Sequence, residues 1–415
     1  MQNQTQNPEQ GRTLATVLVF VGIVVLVLVI ALLNAPTMGG PRVMATVDTY
    51  LAEVRQTAIP FMVAVGAVGI IIAFFAAREV RKVWHNRKKR TDFFAGYAFL
   101  APYLLVTLTF TIGVILFALY ISFTNYDIFT RPTWAGLDNY KEAFRGFTDS
   151  TKREFLQSLY NVLWYVLLVI PIQTFLAILL AVLLNAPMRL KQLFRTVFYA
   201  PSVTSSVVIT LIFVWFYLKT GYVNFFLQSV LGLVGIDFQA VNWLGEPTGL
   251  IQLIVEAFGG TIPSTQWYLR GPSVAWMALM VQNIFTTIPT FMIMFLAAIQ
   301  DISPAIYEAA SIDGANGAQQ FRKITLPMLR PIILLVVVLG TIGAFQVFDQ
   351  VYLATQGGPL NTSLTPVYMI FTEALGIMGP IHMGYASALA FILAVIIFTF
   401  TFIQRRFIER GTEMY

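Results

Sequence analysis

Eight stretches of this chain are long and apolar enough to cross a bilayer, and they restrict everything the rest of it can be. They run over residues 14–33, 59–77, 94–121, 160–184, 197–218, 274–299, 332–353 and 384–404. A helix of about 20 residues matches a hydrocarbon core of about 30 Å. In lipid every backbone N–H and C=O needs an internal partner, which a helix provides within one segment. None of the runs shows the strict apolar/polar alternation of a barrel strand. The expected fold is an all-α membrane protein with about eight transmembrane helices. Composition agrees, with 57% hydrophobic and 11% charged residues among 415. The lack of cysteine excludes disulfides, thiolate metal sites and cysteine nucleophiles. The two histidines, His85 and His382, leave little for a histidine-based metal or acid–base centre.

Lys and Arg are retained on the cytoplasmic side, so their placement orients the runs. The link after the second run carries Arg78, Arg81, Lys82, Arg87, Lys88, Lys89 and Arg90. Placing it inside puts both termini inside as well, together with the connections 185–196 and 300–331. These segments hold 17 of the 26 Lys and Arg. The net charge of +6 is then a topology signal beside membrane lipid, and no nucleic-acid partner is expected. The first run is longer than the apolar region of an ordinary secretory signal and reads as an uncleaved span.

Residues 1–90 form two spans and a basic cytoplasmic linker, and residues 91–415 a six-span unit. Among the outer connections, 122–158 carries turn signals at Thr124–Asp127 and Gly136–Tyr140. The longest, 219–273, repeats a similar phrase at Trp243–Pro247 and Trp267–Pro272. Between them LIQLIVEAF (250–258) is too short to span and is expected to be an interfacial helix or a surface cap.

A polar island, EAASIDGANGAQQFRKITLP (308–327), interrupts the apolar pattern on the cytoplasmic side. Ser303 and Pro304 suit the start of a helix. Ala305, Ala309, Ala310 and Ala315 keep its surface low, and Asp313–Gly314 is a helix stop. A second short helix is expected from about Asn316 to Ile324, ahead of Pro327 and Pro331. The island, about 302–327, therefore predicts a helix–turn–helix across the bundle end, with Glu308 exposed to a basic residue of a partner.

Glu308, Ala309, Ala310, Asp313, Gly314, Ala315, Phe321, Ile324, Leu326 and Pro327 together resemble the EAA loop of ABC importer permeases. The loop also lies between the fourth and fifth spans of the six-span unit, as in that family. LFRTVFYAP (193–201), NWLGEP (242–247), GAFQVFDQVYLATQGGP (343–359) and GYASALA (384–390) resemble its carbohydrate-uptake branch. The likeness covers roughly residues 93–410. The two additional N-terminal spans make the chain similar to the larger permease subunit of maltose-type importers. It departs from the enteric maltose subunit in its short 122–158 connection and its expanded 219–273 connection.

The resemblance implies a permease of a binding-protein-dependent sugar importer in the cytoplasmic membrane of a prokaryote. Its partners would be a second, smaller permease, a cytoplasmic ABC ATPase dimer and an extracytoplasmic sugar-binding protein. In such importers the EAA loop docks in a groove of the ATPase. Glu308, Ala309, Ala310, Asp313, Gly314 and Pro327 are the coupling residues so implied. The chain has no GxxxxGK phosphate loop followed by Ser or Thr. ATP and Mg are therefore expected on the partner ATPase, with no cofactor bound by this chain and no enzyme activity of its own. The implied cargo is a di- or oligosaccharide of maltose/trehalose type. The alternative is another neutral polyol or a glycerol-phosphate-type solute.

Asp349 is the sole carboxylate inside the runs of the six-span unit. Central charges cost about 2.5–3.5 kcal/mol on insertion scales and usually mark ion or proton paths. Their scarcity argues against a proton relay, a secondary transporter or a charged substrate, and for a neutral polar one. The sixth run offers Gln282, Asn283, Thr286, Thr287 and Thr290 around Pro289. The seventh offers Gly340, Gly343, Ala344, Phe345, Gln346, Phe348 and Asp349. In the related maltose subunit, substrate contacts fall on these two helices, at positions matching Gly340, Gly343, Ala344, Val347 and roughly 286–290. The expected substrate path comprises Asn283, Thr287, Thr290, Gly340, Ala344, Gln346, Val347 and Asp349, with no metal site.

Overall fold

A computed structural model describes residues 87–409 apart from 131, 187, 188 and 378. The expected runs 14–33 and 59–77, and the basic link up to residue 86, lie outside the described residues. In chain order the helices are α1 (Arg87–Val106), α2 (Val114–Ser122), α3 (Asp138–Ala143), α4 (Glu154–Asn185) and α5 (Lys191–Val203). There follow α6 (Ser206–Phe216), α7 (Tyr222–Leu233), α8 (Leu250–Ala257), α9 (Val274–Asp301) and α10 (Pro304–Ile312). The last are α11 (Gly317–Gln320), α12 (Leu326–Met328), α13 (Arg330–Phe345), α14 (Pro366–Leu375) and α15 (Met383–Glu409). One small antiparallel ribbon pairs Thr124 with Trp134 and Asn125 with Thr133.

Among the described residues, four helical stretches are long and apolar enough to cross a membrane: Thr91–Ser122, Glu154–Asn185, Val274–Asp301 and Met383–Arg406. Two bent pairs bring the number to six if each is one span: α5 with α6, at 95°, and Gly317–Met328 with α13, at 64°. All six expected runs after residue 90 thus fall largely on helix, but two are not the straight spans expected.

In the run 197–218 the helix stops at Val203 and restarts at Ser206. Pro201 has no N–H to give the preceding turn. Ser202 Oγ donates to the Tyr199 carbonyl at 2.8 Å and Thr204 Oγ1 to Ala200 at 3.0 Å, so side chains compete for the last carbonyls of α5. In the run 332–353, α13 ends at Phe345 and helix resumes only at Asp349. Val347 is buried at the break, and the Thr365 hydroxyl satisfies its freed carbonyl at 3.1 Å.

The described residues gather into two units. The first includes the chain up to Glu142 and Glu373–Ala388. Its core is Phe123, fully buried between Trp134 and Tyr140 at ring distances of 5.8 and 5.4 Å. Asn139 donates its amide to the carbonyls of Ser122 and Thr124, both at 2.9 Å, which is why the expected turn at Gly136–Tyr140 is ordered. Burial pushes the Tyr140 phenol up. Gly384 donates its N–H to Tyr126 at 3.1 Å, and a Cβ there would lie 1.9 Å from the Thr124 carbonyl.

The second unit, Ala143–Thr372 with Leu389–Tyr415, is built on α4, α9 and α13. Ala177 and Ala181 bring α4 against Phe291, Met292 and Phe295 of α9, while Leu329 and Val336 close the cluster from the α13 side. Small residues at such a seam let helices approach closely in lipid. Polar pairs then fix register in this apolar surround. Gln282 donates to Thr210 at 2.7 Å (α9 to α6), Tyr217 to the Ala278 carbonyl at 2.8 Å, and Gln404 to Thr341 at 2.9 Å (α15 to α13).

Candidate functional site

The polar island folds as a helix–turn–helix at one end of α9. Pro304 opens α10 in its first turn, as its missing N–H allows. Ser303 precedes it but its side chain makes no capping bond, so the proline and not the serine defines this start. At the other end Gly314 takes φ +80°. Its N–H reaches the Ser311 carbonyl at 3.1 Å and that of Ala315 reaches Ala310 at 2.9 Å, the two bonds of a Schellman stop. A Cβ at Gly314 would meet no atom within 4 Å, so glycine is required there by backbone conformation rather than by space.

The second helix begins with a reciprocal capping box that residue-type arguments did not single out. Gln319 N–H donates to Asn316 Oδ1 at 2.9 Å, and Asn316 N–H to Gln319 Oε1 at 2.8 Å. It continues through a π-helical turn, Phe321–Thr325, to α12, with Pro327 in the first turn of α12. Two ties hold the helices together: Gln320 Nε2 donates to Ser311 Oγ at 2.9 Å, and Tyr307 and Thr325 share a hydroxyl bond of 2.8 Å. The island is therefore a braced unit. Ala305, Glu308, Ala309 and Ile312 follow helical spacing and are all exposed, Ile312 by 87%. Glu308 makes no hydrogen bond or ion pair among the described residues. Ala310 is half-buried, and Asp313 and Gly314 are exposed at the turn.

The residues expected along the substrate path divide by environment. Asn283 and Thr287 are half-buried and Thr290 exposed, one face of α9. Gln346 and Asp349 are exposed at and just beyond the break after α13. Gly340, Ala344 and Val347 are packed inside the chain. A Cβ on Gly340 would sit 2.6 Å from Gln173 Nε2 and 3.2 Å from Ile170 Cδ1, so α13 lies directly on α4 there. Thr287 Oγ1 is 2.7 Å from Gln173 Oε1 and 2.9 Å from the Asn283 carbonyl, so its proton is committed within the chain. Gln173, only 1% exposed, thus joins α4, α9 and α13. It is an amide inside an apolar run, a signal that should have brought it forward. Phe345 is fully buried against Phe400 at 5.2 Å, while Phe348 belongs to a ring cluster with Tyr352 and Phe371. Among the described residues no group of His, Cys, Asp and Glu could hold a metal ion.

Residues 150–412 match the family described as binding-protein-dependent transport system inner membrane component. The chain is 36% identical over 325 residues to the probable ABC transporter permease protein YesP of Bacillus subtilis, covering 77% of this chain and 91% of that protein. It is 30% identical to the lactose transport system permease protein LacF of Rhizobium radiobacter, covering 74% and 92% of the two chains. Identity to the trehalose/maltose transport system permease protein MalF of Thermococcus litoralis is 26%, covering 74% and 91%. Among solved structures, a chain of a bacterial alginate ABC transporter in complex with alginate pentasaccharide-bound periplasmic protein has the same fold. Its TM-score is 0.60 at 22% identity, covering 79% of this chain and 98% of that one. The matched family spans most of the six-span unit and the relatives most of their own length, so the chain belongs to the binding-protein-dependent transport system inner membrane components, as a carbohydrate-uptake ABC permease.

Proposed function

We propose that this chain is one of two permease subunits of an ABC importer that carries a di- or oligosaccharide into the cell. The observation that carries the reading is the braced loop at the end of α9, an exposed small-residue face lying inside the span of the family match. A low, rigid face of Ala305, Glu308, Ala309 and Ile312 suits insertion into a groove of a cytoplasmic ATPase dimer. Glu308 is free to pair with a cation there, and Gly314, with Asp313 and Pro327 around it, keeps the bend. Ala310 supports the helix from its half-buried side. α9 is 28 residues, about 42 Å along its axis, so movement of α10 is transmitted directly to the polar face at Asn283, Thr287 and Thr290. That face, with Gln346 and Asp349, forms this chain's half of a cavity completed by the second permease. Gly340, Ala344 and Val347 back it. The relatives named for lactose and for trehalose/maltose support a sugar cargo. The helix faces, which carry Asp349 as their one charge, suit a polyol equally well, and transport assays separate the two.

In this arrangement ATP and Mg act on the partner ATPase, an external binding protein delivers the sugar, and both termini lie in the cytoplasm. The test is uptake into proteoliposomes holding both permeases and the ATPase. Sugar should accumulate only with internal ATP and external binding protein. Uptake driven by an ion gradient without the ATPase would overturn the assignment.

A further inference from the structure

Nothing in the proposed transport path uses α7 (Tyr222–Leu233), which leaves α6 through one tight turn. At that turn the Tyr217 hydroxyl donates to the Ala278 carbonyl at 2.8 Å, which fixes it against the first turns of α9, the end opposite to α10. Gly221 comes so close to the end of α6 that a Cβ would lie 2.5 Å from the carbonyls of Trp215 and Phe216. Gly235, at φ +77°, closes the helix: its N–H reaches the Gly232 carbonyl at 3.1 Å, and that of Ile236 reaches Leu231 at 3.0 Å. The 12 residues of α7 rise about 18 Å, too little to cross a hydrocarbon core of about 30 Å.

One side of α7 is fastened to the protein. The buried Asn224 donates to the carbonyls of Leu218, Lys219 and Val241 and accepts from Val241 N–H and Trp243 Nε1. The opposite side is thereby held outward. At helical spacing it carries Tyr222, Phe225, Phe226, Val230 and Leu233, all exposed, Phe226 by 65% and Leu233 by 88%. The one polar side chain among them, Ser229, turns its hydroxyl back to the Phe225 carbonyl at 2.8 Å. No charged residue occurs from Tyr222 to Ile236, with Lys219 before and Asp237 after. A helix that shows one side to water carries polar residues on that side. This face instead continues the exposed apolar side of α6. Phe216 meets Tyr222 edge-on at 5.7 Å, and Leu211, Ile212 and Trp215 stand exposed before it. Trp and Tyr at the end of a span are the residues that settle at headgroup level.

We propose that α7 lies in the membrane–water interface. Tyr222, Phe226, Val230 and Leu233 sit among the acyl chains of the leaflet away from α10, with Lys219 beside lipid phosphates. The occupant of the face is lipid rather than protein. A docking surface for a protein in water has a polar rim, whereas this face runs without a charge into that of α6. The proposal rests on the membrane-permease assignment and on neither the cargo nor the coupling reading.

The test uses single cysteines, which the cysteine-free chain permits: Phe226→Cys, Leu233→Cys and, beyond the helix, Gln239→Cys at an exposed position. Each carries an environment-sensitive NBD label in lipid nanodiscs, in the full chain alone and in the assembled importer. The Phe226 and Leu233 probes should emit at shorter wavelength than the Gln239 probe, lose intensity to doxyl-labelled phospholipid and resist aqueous iodide. The Gln239 probe should do the reverse. A doxyl group near the headgroup end of the acyl chain should quench more than one near its tip, since the helix lies at the surface. Iodide quenching of the Phe226 and Leu233 probes without loss to doxyl lipid would put the face in water and overturn the proposal. So would protection from both quenchers in the assembled importer, which would make the face a contact for a protein partner. Both labelled positions point away from the buried Asn224 side, so the substitutions leave the anchoring of α7 intact.

Discussion

Replacing Gly340 by alanine should destabilise the helix bundle, and removing Gln173 should reverse the sign. Alanine is ordinarily favoured over glycine within a helix by about 0.5–1 kcal/mol. Here the new methyl would come within 2.6 Å of Gln173 Nε2, and Gln173 is 1% exposed with Oε1 2.7 Å from the Thr287 hydroxyl. Either the amide turns away and loses that bond, worth about 0.6 kcal/mol in a membrane bundle, or α13 shifts, at an overpacking cost of about 1–3 kcal/mol. Turning the amide also leaves polar groups of the buried Gln173 unpaired, at about 1–3 kcal/mol. By either route the clash exceeds the propensity gain, so Gly340→Ala should lose about 1 kcal/mol net and lower the unfolding midpoint by a few degrees. In a Gln173→Ala background only the flexible Ile170 Cδ1, at 3.2 Å, must still give way, and Gly340→Ala should stabilise by at most about 0.5–1 kcal/mol through propensity. Denaturation in detergent of the four proteins of this cycle, followed by tryptophan fluorescence, measures the coupling. Additive effects, or a stabilising Gly340→Ala in the unaltered chain, would refute the packing account of this glycine.

Gly314→Ala should strain the turn by about 1–2 kcal/mol through its φ of +80° and weaken sugar-stimulated ATP hydrolysis of the assembled importer. Gly314→Asn, better suited to left-handed backbone, should keep more of it, and Gly314→Trp should lose it by obstructing the groove; equal rates in all three would contradict the role given to the bend. Asn224→Ala should loosen the 219–243 segment. The buried Asn224 donates to the carbonyls of Leu218, Lys219 and Val241 and accepts from Val241 N–H and Trp243 Nε1. Limited proteolysis should then cut this segment faster than in the unaltered chain, and unchanged cutting would mean that other contacts order it.

Much of this was legible in residue order because membrane helices are written in hydropathy and short polar turns in residue type. The long α4, α9 and α15 follow the apolar runs, and Pro304 and Gly314 mark the start and stop of α10 as elementary capping rules require. The breaks at Thr204–Ser205 and at Gln346–Phe348 were not legible, because hydropathy is blind to the backbone angle inside an apolar run. The first rests on Pro201, Ser202 and Thr204 within the run itself, and the second on Thr365 arriving from elsewhere to satisfy the freed Val347 carbonyl. The same limit hid Gln173, whose importance lies in meeting Thr287 and Gly340 from three distant points of the chain. It also hid the pairing of Gly249 with Ser273, though the repeated phrases beside them were visible.

The central claim, that α10 is the contact through which a partner ATPase drives this permease, is most directly tested by thiol cross-linking. The chain contains no cysteine, so any product reports the installed group. Ile312→Cys, at a position 87% exposed on α10, should cross-link to the ATPase subunit in the assembled complex, with a yield that changes when ATP binds. Phe258→Cys, 89% exposed after α8 at the opposite end of α9, should give no such product. Absence of an Ile312 product in every nucleotide state, or an ATPase product from Phe258, would contradict the account.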